Sequence, residues 1–138
     1  MVSIHLSMKT KLFTLLSFFS LAATIQAQYI YDASGRTLAR VDGDYIYNAS
    51  GRTLGRLDGE RIYDASGRTL GRTDDDRVYD ASGRTMGRID GNYIYDASGR
   101  TLGRADDDRY YDASGRTLGR VDGVIRRTAI LFFYFFFR

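Results

Sequence analysis

The sequence predicts an all-β fold: tandem 16-residue β-hairpin repeats forming a closed or curled meander, flower- or barrel-like, behind a helical signal peptide. Tyr31, Tyr47, Tyr63, Tyr79, Tyr95 and Tyr111 recur every sixteen residues, and each opens a near-copy of Tyr-Asp-Ala-Ser-Gly-Arg-Thr-Leu-Gly-Arg. A finer period of eight runs through these units as an apolar row: Ile30, Leu38, Ile46, Leu54, Ile62, Leu70, Val78, Met86, Ile94, Leu102, Tyr110 and Leu118. Short apolar segments separated by Asp, Ser and Gly at a fixed offset suit short strands in a meander. Helix is disfavoured, because Gly, Asp and β-branched residues are dense and no i, i+3, i+4 stripe is present.

The first element is a leader. Lys9 and Lys11 form a basic start, Leu12 to Thr24 is apolar, and Ala27 supplies the small residue of a cleavage site. That is the layout of a secretory signal over residues 1–27, with Met8 a plausible true start. The apolar run is shorter than the roughly 20 residues of a membrane-spanning helix. The expected location is secreted or periplasmic.

Removal of the leader changes the chemistry. The single His5 and both lysines lie within it, and the chain has no cysteine, tryptophan or proline. Residues 28–138 hold eighteen Arg against seventeen Asp and Glu, so the charge falls from +3 for the whole chain to +1. Nucleic acid is therefore not an expected partner, since its recognition needs an unbalanced basic patch. Disulfides are excluded, and stability must come from repetition.

Residues 28–125 form the six-copy hairpin domain. Asp-Ala-Ser-Gly reads as a turn with a left-handed glycine and a bulge, the Asp side chain bonding nearby backbone. The same turn type is expected in the second half of each unit, at Arg56-Leu57-Asp58-Gly59. In that register an acid–Arg row is expected to pair across strands as structural ion pairs: Asp64, Arg72, Asp80, Arg88, Asp96 and Arg104. The opposite face is expected to lay Tyr47, Tyr63, Tyr79, Tyr95 and Tyr111 over cross-strand glycines, or to expose those rings as a binding face. One apolar residue per strand is a thin core, so the sheet must curl until the row meets itself; a barrel, a flower of hairpins and a solenoid all satisfy this.

Residues 126–138 are expected to form a Phe-rich C-terminal strand that completes the core, because Ala129 to Phe137 is apolar throughout. Contact with a membrane or a partner, and a frameshifted or truncated gene end, are the alternatives. An outer-membrane barrel is a poor match, since its strands need about 9–11 residues.

Catalytic chemistry finds little footing. Nucleophile–base pairs involving Cys or His cannot form in residues 28–138, nor can His/Cys zinc sites. Ser34 and its five copies are repeated turn residues, unlike a singular nucleophile. No cofactor is implied. Asp74, Asp76, Asp106 and Asp108 are weak calcium candidates, against the plainer reading of solvated turns.

Tyr93-Ile94-Tyr95-Asp96-Ala97-Ser98-Gly99-Arg100 resembles the YD repeat of Rhs-type and teneurin shells over half of each unit. The whole array, with its leader, its IYDxxGRxxGRxDG units and its aromatic end, is similar to the small secreted 4-fold beta flower family. That resemblance implies a petal-like β fold, export and no catalytic residues. The expected function is an exported, non-enzymatic structural scaffold. The alternative is a surface or periplasmic module that binds a glycan or a cell-envelope protein through its Tyr/Arg face.

Overall fold

The computed structural model describes residues 28–137; the leader expected over residues 1–27 lies outside them. Twelve antiparallel strands close into one barrel: β1 Gln28–Asp32, β2 Thr37–Asp42, β3 Tyr45–Asn48, β4 Thr53–Asp58, β5 Arg61–Asp64, β6 Thr69–Asp74, β7 Arg77–Asp80, β8 Thr85–Asp90, β9 Tyr93–Asp96, β10 Thr101–Asp106, β11 Arg109–Asp112 and β12 Thr117–Asp122. Every strand pairs with its sequence neighbours, and β1 closes on β12 through Ile30↔Val121 and Tyr31↔Arg120. Closure removes both open edges, the aggregation hazard of a short-stranded sheet.

Two turn types alternate where one was expected. The Asp-Ala-Ser-Gly turn is bulged as anticipated: Asp32 N donates to Arg36 O (2.8 Å), and Gly35 takes φ +90°. The Asp32 carboxylate Oδ1 accepts from Ser34 N, Ser34 Oγ and Arg36 N, so one side chain organises the whole turn. The second turn is instead a tight two-residue loop. Asp58 pairs with Arg61 across Gly59-Glu60, and Gly59 supplies φ +61°. In two of the hairpins an aspartate stands where the others have this glycine: Asp75 and Asp107 hold the place at φ +54°.

A register shift reconciles the tight loop with the apolar row. In β4, Thr53 pairs with Tyr47 and Gly55 with Ile46, which leaves Leu54 as the extra, bulged residue. The bulge reverses the in–out alternation, so Leu54 and Gly55 both turn toward the axis. Ile30, Ile46, Ile62, Val78 and Ile94 are fully buried, and the Leu residues of the row pack partly buried against them.

The tail is helical, contrary to the expected strand. An α-helix, α1 (Arg126–Ile130), runs into a π-helical segment (Leu131–Phe135) that lies inside the barrel. A closed ladder has no unpaired edge for a further strand. Backbone in the lumen must satisfy its own N–H and C=O groups, and a helix does so. Phe136 N donating to Leu131 O (2.9 Å) closes the wide turn.

Five consecutive rings of the tail meet five successive glycines of the wall in reverse order: Phe133 on Gly119, Tyr134 on Gly103, Phe135 on Gly87, Phe136 on Gly71 and Phe137 on Gly55. In the first hairpin the corresponding place is held by Ala39, which is fully buried. The glycines therefore face inward, under the plug, and not outward beneath tyrosines as the sequence reading expected. Tyr110 replaces the aliphatic residue of its strand and stacks on Phe133 with ring centroids 5.0 Å apart. Burial pushes its phenol pKa upward, the main cause being lost hydration. The Tyr134 hydroxyl donates to Tyr111 O (2.6 Å).

Candidate functional site

With the lumen filled, the chemistry open to a partner lies on the outer wall. Strand alternation turns Tyr47, Tyr63, Tyr79, Tyr95 and Tyr111 outward, and the tight loops place each directly opposite an arginine of the preceding strand. Arg40, Arg56, Arg72, Arg88 and Arg104 lie over these rings at 4.5, 4.0, 4.3, 4.3 and 4.3 Å from the centroids. Arg120 over Tyr31 at 4.4 Å completes the circle across the closing seam. Each stack contributes about 0.5–1 kcal/mol at an exposed site. Its larger effect is to hold a guanidinium flat; in Arg40, Arg56, Arg88 and Arg104 one edge also reaches the aspartate two residues on.

The expected acid–Arg ladder does not form. Asp64, Asp80 and Asp96 lie opposite Gly55, Gly71 and Gly87, and each spends its Oδ1 on its own turn. Arg72, Arg88 and Arg104 stack on tyrosine. The two-residue loop shifted the register by which acid would have met Arg. The ion pairs among the described residues are local instead: Arg56 to Asp58 at 3.3 Å and Arg88 to Asp90 at 3.4 Å are representative. Exposed pairs of this kind contribute under about 1 kcal/mol. Asp32, Asp64, Asp80, Asp96 and Asp112 have carboxyl pKa values held below the usual range, first by the Ser hydroxyl of the turn and then by backbone N–H groups.

Asp74 and Asp76 flank the strained Asp75 in one tight loop, and Asp106 and Asp108 flank Asp107 in another. Among the described residues no group of three His, Cys, Asp or Glu side chains gathers to hold a metal ion. The same rim carries the anchors of the plug. Arg126 donates to Gly91 O (2.6 Å), and Arg127 donates to Gly59 O (2.9 Å) and to the Thr73 hydroxyl. A cavity of about 190 Å³ opens beside Arg127, floored by Val41, Ile46 and Leu57.

The sequence reading missed the residue two places before each repeated tyrosine. That position holds Tyr29, Tyr45 and Tyr93 in three hairpins and Arg61, Arg77 and Arg109 in the others. The arginines lie directly opposite Arg72, Arg88 and Arg120. The signal was available: it is one of few variable positions in an otherwise uniform unit.

A closed barrel of repeated hairpins, plugged by its own C-terminal helix and decorated by one repeated surface motif, defines a structural repeat protein. The model of the 5-fold beta-flower protein family matches residues 27–138, and the chain belongs to that family. The expected kind of fold holds, while the member is the 5-fold and not the 4-fold family, and the likeness to YD repeats gains no support. Twelve strands make six hairpins here; five carry the inward glycine under a tail ring. Comparison with curated proteins and with solved structures returns no match. Among the described residues no helix is long and apolar enough to cross a membrane.

Proposed function

We propose that the chain is an exported, non-enzymatic scaffold whose rigid barrel displays six copies of one surface. The observation that carries this reading is the filled lumen. The space where a barrel would hold a substrate is occupied by the rings of Phe133 to Phe137, and the repeated Asp carboxylates are engaged in turn geometry. Export is inferred from the leader-like residues 1–27. Expression of the full chain in a bacterial host, followed by fractionation and mass measurement, tests it: the product should leave the cytoplasm and begin at Gln28. A cytoplasmic product retaining residues 1–27 would remove export from the proposal.

A second reading, a binding module for a glycan or a cell-envelope protein, is favoured by the outward stacks. Tyr rings buried on glycine would have argued for scaffold alone. Here the stacked rings lie half-buried on the outer wall beneath arginine, and beside two of them Tyr45 and Tyr93 are 45% and 48% exposed. Glycan-array and pull-down measurements on the purified chain test this reading; a ligand whose affinity survives loss of Tyr45, Tyr93 and the stacked arginines would reject the Tyr/Arg face as its site.

A further inference from the structure

On the outer wall of β5–β8, two neighbouring hairpins exchange the exposed tyrosine for arginine. Arg61 then lies directly opposite Arg72, and Arg77 opposite Arg88. Like charges placed opposite each other in a sheet are destabilising. Stacking on Tyr79 and Tyr95 fixes Arg72 and Arg88 in place. Each pair borders a groove, of about 290 Å³ for Arg61/Arg72 and about 260 Å³ for Arg77/Arg88. The first groove is also lined by Thr69, Asp80 and Ser82. The second repeats this set sixteen residues on, with Thr85, Asp96 and Ser98.

We propose that these two grooves are successive subsites for an acidic polysaccharide bearing one carboxylate per disaccharide. The proposal rests on the binding reading above and names its ligand class. Two forked guanidinium groups suit a planar carboxylate, which they grip through paired N–H donors. The Thr69 hydroxyl suits a sugar hydroxyl, and Ser82 Oγ, whose proton goes to Asp80 Oδ1, can accept from one. The turn bonds of Asp80 all fall on Oδ1, so its Oδ2 is left to accept from a sugar. A bare inorganic anion would be repelled by that carboxylate; a sugar acid uses it.

Spacing separates the polysaccharide from nucleic acid. Strands lie about 4.8 Å apart, so equivalent points two strands along the wall are about 10 Å apart. That matches the advance of a disaccharide in an extended chain. A nucleic-acid strand places a charge about every 3.4 Å of duplex, far denser than the grooves. Acids on the same wall also oppose a dense polyanion: Asp74 lies opposite Arg77, and Asp90 holds Arg88 at 3.4 Å.

The test measures binding of the full chain to hyaluronan, which has one carboxylate per disaccharide, beside neutral dextran and a single-stranded oligonucleotide. Arg61→Tyr with Arg77→Tyr installs the residue found at Tyr45 and Tyr93, so the melting temperature should hold while hyaluronan affinity falls about tenfold or more. Tyr93→Arg, which faces Arg104, should add a further arginine pair next to Arg77/Arg88 and tighten binding. Unchanged hyaluronan affinity in the double variant, or tighter binding of the oligonucleotide, would overturn the proposal. Dextran binding that the double variant preserves would reject the grooves and keep the wider Tyr/Arg reading. Retention of no polymer at all would reject the grooves and the glycan form of that reading together.

Discussion

Substitution of Gly87 by alanine probes the fit between wall and plug. A Cβ built on Gly87 would lie 2.1 Å from Tyr95 O and 2.8 Å from Cε1 of Phe135. The ring could swing aside, but the carbonyl belongs to the neighbouring strand and is tied into the ladder. Relief of the overlap requires the two strands to part by about 1 Å, or the bulge to be lost; overpacking of this kind costs about 1–3 kcal/mol, and a clash with backbone belongs at the upper end. For a domain of this size about 3 kcal/mol lowers the melting temperature by roughly 10 °C. Thermal and urea unfolding of Gly87→Ala, followed by circular dichroism, measures it. The internal control is Ala39→Gly, in the hairpin where an alanine already stands, with an expected change below about 1 kcal/mol. If Gly87→Ala unfolds within about 1 kcal/mol of the parent, or if both substitutions have equal effects, the plug does not sit on the glycines as described.

Asp75→Gly and Asp107→Gly relieve a left-handed backbone that Gly43, Gly59 and Gly91 adopt freely at φ near 60°, and each should raise stability by about 0.5–1 kcal/mol in a urea melt; no gain would show that the loops carry no strain. The lowered pKa of Asp32, Asp64, Asp80, Asp96 and Asp112 stabilises the fold above the ordinary carboxyl pKa of about 3.9, and that stabilisation drains as pH falls through the lower native values. Asn48 accepts the same three turn bonds without a titrating group, so replacing the five Asp by Asn should flatten the acid limb of a stability–pH profile; an unaltered limb would place the acid sensitivity elsewhere. Phe133→Ala removes a ring that is 4% exposed and stacked on Tyr110, at an expected cost of about 3–5 kcal/mol in chemical denaturation. Truncation after Ile130 should abolish cooperative melting and bring on dye binding to exposed apolar wall; a sharp transition in the truncated chain would show that the barrel holds itself open.

The sixteen-residue period made the core legible, because equivalent residues of successive hairpins share a face whichever turns join the strands between them. Ile30, Ile46, Ile62, Val78 and Ile94 are buried for that reason. The Asp-Ala-Ser-Gly turn was equally readable, its bonds being local to five residues. The second turn was not. Gly59 permits either a bulged or a two-residue loop, and the choice depends on whether a bulge at Leu54 can restore the inward row. That coupling decided the outer face as well: Arg56 meets Tyr63 and not an acid. The tail was misread because an unbroken apolar run carries no periodicity that separates strand from helix. What decided between them was closure, a property of the whole ring that no window of residues contains. The Arg61 and Arg77 positions differ from their sister repeats by a single residue, and their pairing emerged only with the strand order.

The one-to-one meeting of tail rings and wall glycines makes the last residues a gauge of circumference. An array that gained a hairpin by duplication would widen and present a glycine with no aromatic neighbour, leaving a hole the size of a side chain; one that lost a hairpin would strand a phenylalanine in water. Drift in copy number, otherwise easy between near-identical segments, is thereby held in check by a stretch of chain outside the duplicated part, and a viable change must alter both in step.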